Sequence, residues 1–227
     1  MNLSECTSPR PPPPILSATP IVFVVDDDVS VRESLELLLR SAGWQPKISA
    51  SAEEFLARPR VLTPSCLLLD VNLPNISGLD LQRLIAYRAE LPVIIITGCG
   101  DIPMSVQAMK AGAVEFLTKP LTPAVLLHAI QSALERSRIW LEQESKLQAL
   151  RDRHHALSRR EREVMALVVR GQLNKQVSGE LGISEITVKQ HRGRMMRKMR
   201  ARSLPELVTI AARLSLVTAG EGWFRRG

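Results

Sequence analysis

Three apolar runs in this chain end in residues suited to moving a phosphoryl group. Ser65-Cys66-Leu67-Leu68-Leu69 runs into Asp70, and Val71-Asn72-Leu73-Pro74 and Gly78 follow. Ile21-Val22-Phe23-Val24-Val25 ends in Asp26-Asp27-Asp28, and Val114-Glu115-Phe116-Leu117-Thr118 ends in Lys119-Pro120. Carboxylates gathered at one place repel each other. A hard divalent cation such as Mg²⁺ relieves that through oxygen ligands and retained waters, and Mn²⁺ could substitute. Asp70 is then the candidate nucleophile, because a carboxylate can form an aspartyl phosphate. Lys119 can neutralise the transferring oxygens and Thr97 can hydrogen-bond one of them. Transfer of this kind needs mainly positioning and charge stabilisation. Any one of these acids alone reads as a solvated turn residue, and Lys119 alone as a surface charge. The argument lies in their joint placement.

That placement follows from the elements around them. After the strand Ile21–Val25, Val31, Leu35, Leu38 and Leu39 repeat at helical spacing and Gly43 supplies a helix stop. A short strand is expected near Lys47–Ser49, and Ser51-Ala52-Glu53-Glu54 fits a capping box for a short helix. Cys66–Leu69 is the third strand. Gly78–Ala89 reads as a helix with Leu81, Leu84 and Ile85 on one face. Val93–Ile96, the helix Ile102–Ala111 and Val114–Leu117 complete the series. Continuous apolar strands alternating with helices indicate an α/β doubly wound, five-stranded parallel sheet. Ligand sites in such sheets lie at the carboxyl ends of the strands, where Asp26, Asp27, Asp70, Thr97 and Lys119 all fall.

The second half differs in charge and pattern. Residues 1–122 carry 10 Lys+Arg and 13 Asp+Glu, net −3, whereas residues 123–227 carry 20 and 10, net +10. The basic half points to a polyanionic partner. Thr122-Pro123 opens a helix expected to run to about Arg153, apolar on one face at first and charged from Glu135 onward. It reads as a packed helix continuing into a solvated connector. Its apolar heptads are too broken to favour a coiled coil. Four short helices follow: one capped by Ser158-Arg159-Arg160-Glu161 and ended by Gly171, Asn174–Leu181 closed by Gly182, one from Ser184 to about Arg200, and one opened by Ser203-Leu204-Pro205-Glu206.

Helix, short turn, helix around Gly182 is a helix-turn-helix signature. In the segment after the turn, Ile186, Val188, Met195 and Met199 can face a core. Lys189, Gln190, Arg192, Arg194, Arg197 and Lys198 cannot all do so. Such a helix suits the DNA major groove, where Lys or Arg reads guanine, Gln reads adenine and other cations neutralise phosphates. A solvated basic face on an ordinary helix is the bland alternative. His191 reads equally as a phosphate contact or as a packing residue.

Three cysteines, Cys6, Cys66 and Cys99, show no metal spacing and fit a reduced, cytoplasmic chain. No apolar run approaches the ~20 residues of a membrane span. Residues 1–19, with Pro9 and Pro11 to Pro14, read as a disordered or polyproline II tail and not as a signal peptide.

On these residues, 20–135 resembles the receiver domain of bacterial two-component response regulators, a CheY-like, flavodoxin-like fold. The stretch from Thr97-Gly98-Cys99-Gly100-Asp101-Ile102-Pro103 through Lys119-Pro120 is similar to the FixJ-like subgroup. The resemblance implies phosphorylation of Asp70 by a sensor histidine kinase. It implies Mg²⁺ on Asp26, Asp27, Asp70 and the Asn72 carbonyl, Thr97 and Phe116 as switch residues, and a cis peptide before Pro120. Asn72 and Cys99 would flank the phosphoryl group and set its lifetime.

Residues 157–217 resemble a LuxR-type DNA-binding domain through Leu157-Ser158-Arg159-Arg160-Glu161-Arg162-Glu163-Val164, Asn174-Lys175-Gln176-Val177-Ser178 and Ile183-Ser184-Glu185-Ile186-Thr187-Val188-Lys189. By that resemblance Lys189 and Gln190 read bases, Lys175 and Thr187 join the DNA-binding set, and Glu163 supports the fold. Gly193 stands where similar domains place a long side chain, and Arg194 could compensate. Residues 136–156 would be a helical linker and 218–227 a tail.

The whole implies a phosphorylation-dependent homodimer, paired through Ile102–Ala111 and Val114–Leu117. It would bind double-stranded promoter DNA and regulate transcription, more often activating it, with RNA polymerase a further possible partner. Two rivals remain at this level. One is a DNA-binder whose first domain dimerises without phosphorylation, against which the full set of acids, Thr97 and Lys119 argues. The other is a phosphatase with Asp70 as nucleophile, against which Asn72 argues, because an amide cannot serve as a general acid.

Overall fold

The computed structural model describes residues 19–98 and 102–214. The tails (1–18 and 215–227), Cys6 and Cys99 lie outside them. The chain divides into two units, Met1–Glu142 and Gln143–Gly227.

The first unit is a five-stranded parallel sheet of β1 (Ile21–Val25), β2 (Gln45–Ser49), β3 (Ser65–Asp70), β4 (Val93–Thr97) and β5 (Glu115–Thr118). The strand order is β2-β1-β3-β4-β5, so the chain reverses its direction of winding at β1/β3. Helices α1 (Val29–Ser41), α2 (Ala52–Leu56), α3 (Gly78–Leu84), α4 (Ile102–Lys110) and α5 (Pro123–His155) connect or follow the strands. Alternate residues of β1, β3 and β4 feed two cores. Phe23, Val25, Leu67, Leu69 and Ile95 pack with Phe55 of α2, Leu81 of α3 and Ala108 of α4. Val22, Val24, Leu68, Ile94 and Ile96 pack with Leu35 and Leu39 of α1 and with Leu126, Ile130 and Leu134 of α5. These three strands are buried on both faces, hence their continuous apolar runs, whereas the edge strands β2 and β5 are partly exposed.

Helix α3 ends at Leu84, short of Ala89, and Leu84 is 53% exposed. Leu81 and Ile85 fill the core, and Gln82, not Leu84, lies beside them, its Nε2 donating to the Ala108 carbonyl at 2.9 Å. Ser51 caps α2 by accepting from the Glu54 N–H, but the Glu54 carboxylate reaches one residue further back than a capping box requires, to the Ala50 N–H. The buried Ser137 hydroxyl of α5 donates to the Glu90 carbonyl at 2.6 Å and accepts from the Ser65 N–H at 3.0 Å, which fixes α5 to the start of β3.

The second unit holds α6 (Arg159–Val168), α7 (Asn174–Leu181), α8 (Glu185–Met199) and α9 (Leu204–Arg213) around Val164, Leu167, Val177, Val188, Met195, Met199 and Leu207. Gly182 ends α7 at φ +63°, a left-handed conformation that glycine takes without a Cβ penalty. Ser184 caps α8, accepting from the Thr187 N–H at 3.1 Å. Leu150, near the end of α5, also joins this core.

Candidate functional site

Sheet register brings the candidate phosphoryl-handling residues together. Val25 pairs with Leu69 and Asp70 with Ile96, so Asp26 and Asp70 leave neighbouring strands side by side. Thr97 pairs with Thr118, and the Lys119 N–H continues that ladder to the Thr97 carbonyl at 2.8 Å. Asp26 and Asp70 are almost fully buried, and Thr97 is fully so. Lys119 Nζ donates to Asp26 Oδ2 at 2.9 Å and to Asp70 Oδ1 at 2.8 Å. Burial alone would lower the affinity of Lys119 for its proton. Hydrogen bonds and charge from Asp26 and Asp70 outweigh that and raise its pKa. The peptide between Lys119 and Pro120 is cis.

The remaining carboxylate oxygens are directed by the backbone. Asp70 Oδ2 accepts from the Asn72 N–H at 2.6 Å, and Asp26 Oδ1 from the Asp28 N–H at 2.9 Å. The three acids after β1 divide their work: Asp26 faces the lysine, Asp27 is exposed, and Asp28 caps α1 by accepting from the N–H groups of Ser30 and Val31. The donor set fits a hard cation: two carboxylates within reach of one ammonium, with Asp27 and the Asn72 backbone on the two adjoining loops. Among the described residues, no group of three acidic, cysteine or histidine side chains lies close enough to form a metal cluster. Phe116 is half-buried against the α4 side of the sheet.

Gly78 was legible only as a landmark. It lies against Asp70: a Cβ there would meet the Asp70 carbonyl oxygen at 2.1 Å, and its N–H donates to the Val71 carbonyl at 2.9 Å. The loop from Asp70 therefore folds back on its own strand end, which is possible only without a side chain.

In the second unit, α8 splits into two faces. Val188, Met195 and Met199 are buried. Lys189, Gln190, Arg194 and Arg197 are exposed, as is Lys175 of α7. Thr187 is half-buried, its hydroxyl 2.9 Å from Ser184 Oγ. Arg192 is partly withdrawn: its Nη1 donates to Asn174 Oδ1 at 3.0 Å, bracing α8 on α7. His191 is half-buried with Nδ1 in the interior, lacking a hydrogen-bond partner among the described residues.

Three expectations are corrected here. Ile186 does not face the core and is 70% exposed. The buried structural acid is Glu161, not Glu163, which is paired at the surface with Arg159 and Arg160. Lys198 turns toward that buried acid, donating to Glu161 Oε2 at 2.6 Å and to the Ala156 carbonyl at 3.1 Å. Its ammonium is thereby engaged within the fold. Burial would raise the Glu161 pKa, but Lys198 and the Ser158 N–H hold it below the ordinary carboxylate range.

The comparisons agree with this geometry. Residues 22–131 match the model of the response regulator receiver domain, and residues 155–211 match that of bacterial regulatory proteins, luxR family. Nodulation protein W of Bradyrhizobium diazoefficiens is 48% identical over 201 residues, 88% of either chain. The chain belongs to the response-regulator family. The transcriptional regulatory protein FixJ of Azorhizobium caulinodans is 44% identical over 191 residues, 84% of this response regulator and 90% of FixJ. A low-resolution structure of the response regulator StyR superposes with TM-score 0.77 at 44% identity, covering 86% of this chain and all of that one. This response regulator is thus a transcriptional regulator with a receiver and a LuxR-type DNA-binding domain, and not an enzyme of the usual kind. Its family partners histidine kinases and binds DNA. Among the described residues no helix is long and apolar enough to cross a membrane.

Proposed function

We propose that Asp70 accepts a phosphoryl group from a partner histidine kinase and that this event promotes pairing of receivers and sequence-specific DNA binding. The observation that carries the proposal is the single ammonium of Lys119 held between Asp26 and Asp70 at the strand ends. Asp70 Oδ attacks phosphorus, the P–N bond to the kinase imidazole breaks, and the imidazole leaves with a proton from solvent. Lys119 follows the new phosphoryl oxygens, and Thr97 supplies a hydroxyl to one of them. Asp26, Asp27, Asp70 and the Asn72 carbonyl would hold Mg²⁺, which offsets the negative charge gathered on transfer. Slow loss of the phosphoryl group to water resets the protein.

Phosphorylation adds roughly one negative charge at the Asp70 position, so it biases the Thr97 and Phe116 arrangement. Pairing through α4 is supported by its exposed Ile102, Val106 and Met109, an outward apolar row at helical spacing. Lys175, Lys189, Gln190, Arg194 and Arg197 would make the DNA contacts, with Thr187 and Arg192 closer to the domain surface. Activation of transcription, contact with RNA polymerase and a cytoplasmic location complete the proposal. The proposed domains are 20–135 for the receiver, 136–156 for the linker and 157–217 for the DNA-binding domain, with the division between the two units, at Glu142 and Gln143, falling within the linker.

Intact mass after incubation with a small phosphodonor and Mg²⁺ tests this. The expected result is one phosphoryl group on the wild type and none on Asp70→Asn. Addition to both, or to neither with folding verified, overturns it. The same samples, sized in solution, should show dimers only where phosphoryl is present.

A further inference from the structure

The exposed stripe of α8 contains one residue that is neither charged nor polar and that the fold does not use. Ile186, Lys189, Gln190, Arg194 and Arg197 recur at three- and four-residue steps, so they share one face. The opposite face carries Val188, Met195 and Met199 into the core. Ile186 is 70% exposed in the first turn, one step from the two residues best suited to reading base edges. A single exposed isoleucine elsewhere on a surface would need no account. Here it lies on the second helix of a helix-turn-helix, whose N-terminal residues approach base edges in this docking mode. The row around it is cationic and matches a polyanion. In the major groove one group is apolar, the C5 methyl of thymine, and apolar side chains recognise it by contact.

We infer that Ile186 is a specificity-determining residue that packs on a thymine methyl beside the base pairs read by Lys189 and Gln190. This rests on the DNA-binding reading of α8 and names one base that reading leaves open. The reader is the branched side chain of Ile186, and the discriminated feature is a single methyl, not a hydrogen-bond pattern. Thymine is therefore preferred over uracil at one position of each half-site, although the two present the same donors and acceptors.

The test uses the full-length phosphorylated protein. A randomised duplex library is selected for binding, and the enriched sequence is remade with each thymine singly replaced by deoxyuridine. Wild type should lose about fourfold in affinity at one defined thymine of a half-site, the worth of one buried methyl. Ile186→Ala should bind the thymine and deoxyuridine duplexes equally, and Ile186→Val should keep the discrimination. Equal binding of all substituted duplexes by wild type, or an undiminished loss in Ile186→Ala, overturns the inference while the DNA reading stands. Failure to enrich any sequence removes the DNA reading and this inference with it. Because Ile186 is exposed, the variants should match wild type in thermal unfolding.

Discussion

Replacing Gly78 by alanine should disturb the Asp70 site from behind. The new Cβ would lie 2.1 Å from the Asp70 carbonyl oxygen, and 2.9 Å from both the Asp70 carbonyl carbon and Val71 Cα, where ordinary contact begins at 3.4 Å. All three neighbours are backbone, so no side chain can swing aside. The loop must retreat by roughly 1 Å, and overpacking of this kind costs about 1–3 kcal/mol. The hydrogen bond from the Gly78 N–H to the Val71 carbonyl is then strained or lost, at roughly 1 kcal/mol more. Alanine is the better helix former by up to about 1 kcal/mol in a helix interior, but Gly78 opens α3 and gains less. Overpacking wins, for a net loss of about 2–4 kcal/mol. For a domain of this size that lowers the midpoint by roughly 8–16 °C. Thermal and urea unfolding of the full chain, followed by tryptophan fluorescence with Trp140→Phe and Trp223→Phe in both proteins so that only the half-buried Trp44 packed on the receiver core emits, reports the receiver. Phosphorylation of the surviving folded fraction should also slow, because Asp70 moves with its carbonyl. A variant within about 0.5 kcal/mol of wild type, phosphorylated at the same rate, would refute the reasoning.

Four further substitutions separate fold from function. Lys198→Met should destabilise the helical unit by about 1–2 kcal/mol, less than for a deeply buried pair because the lysine is partly exposed. It should leave the salt slope of DNA binding unchanged, whereas Arg197→Ala should reduce that slope by about 1; both are read from affinities at several salt concentrations. Glu161 has a lowered folded pKa, so its stabilising share is complete above the ordinary glutamate range and is lost as pH falls through the lowered value. Urea unfolding of Glu161→Gln should show that acid dependence flattened. Gly193→Ala meets nothing within 4 Å and should stabilise the unit by up to about 1 kcal/mol in thermal unfolding.

What the sequence disclosed was what local rules control. Buried parallel strands announce themselves as apolar runs, and the sheet rule then puts Asp26, Asp70, Thr97 and Lys119 at one edge without any distance being known. Caps were equally legible, because Ser158 and Glu161 interact across three residues. The misses all involve distant partners or a face assigned by type. Glu161 was visible as a capping acid, but its second partner, Lys198, lies on another helix. Leu84 and Ile186 look like core residues by composition. Leu84 lies to the side of the α3 face that Leu81, Gln82 and Ile85 bury, and Ile186 sits on the α8 face opposite the three buried apolar residues. The closeness of Gly78 to Asp70 depends on how the loop folds back, and no spacing encodes it.

Lys119 is the residue through which the electrostatics of the receiver can be separated from its chemistry. It faces two nearly buried carboxylates, so the trio carries one net negative charge. Its raised pKa means that its stabilising share is complete at neutral pH, because it is fully present below the ordinary lysine value. That share is lost only as pH rises through the raised value. Lys119→Met removes the cation and leaves two like charges at one sheet edge. The expected loss at pH 7 is about 1–3 kcal/mol, below the figure for a fully enclosed pair because the lysine retains some exposure. If Asp26, Asp27, Asp70 and the Asn72 carbonyl hold a hard cation, Mg²⁺ should stabilise this variant by mass action, with no phosphodonor present. Urea midpoints with and without Mg²⁺ at pH 7 read both effects without any transfer step. A variant as stable as wild type at pH 7 would mean that the ammonium contributes nothing to the resting fold. An Mg²⁺-insensitive one would mean that the acids do not form a cation site once the lysine is gone.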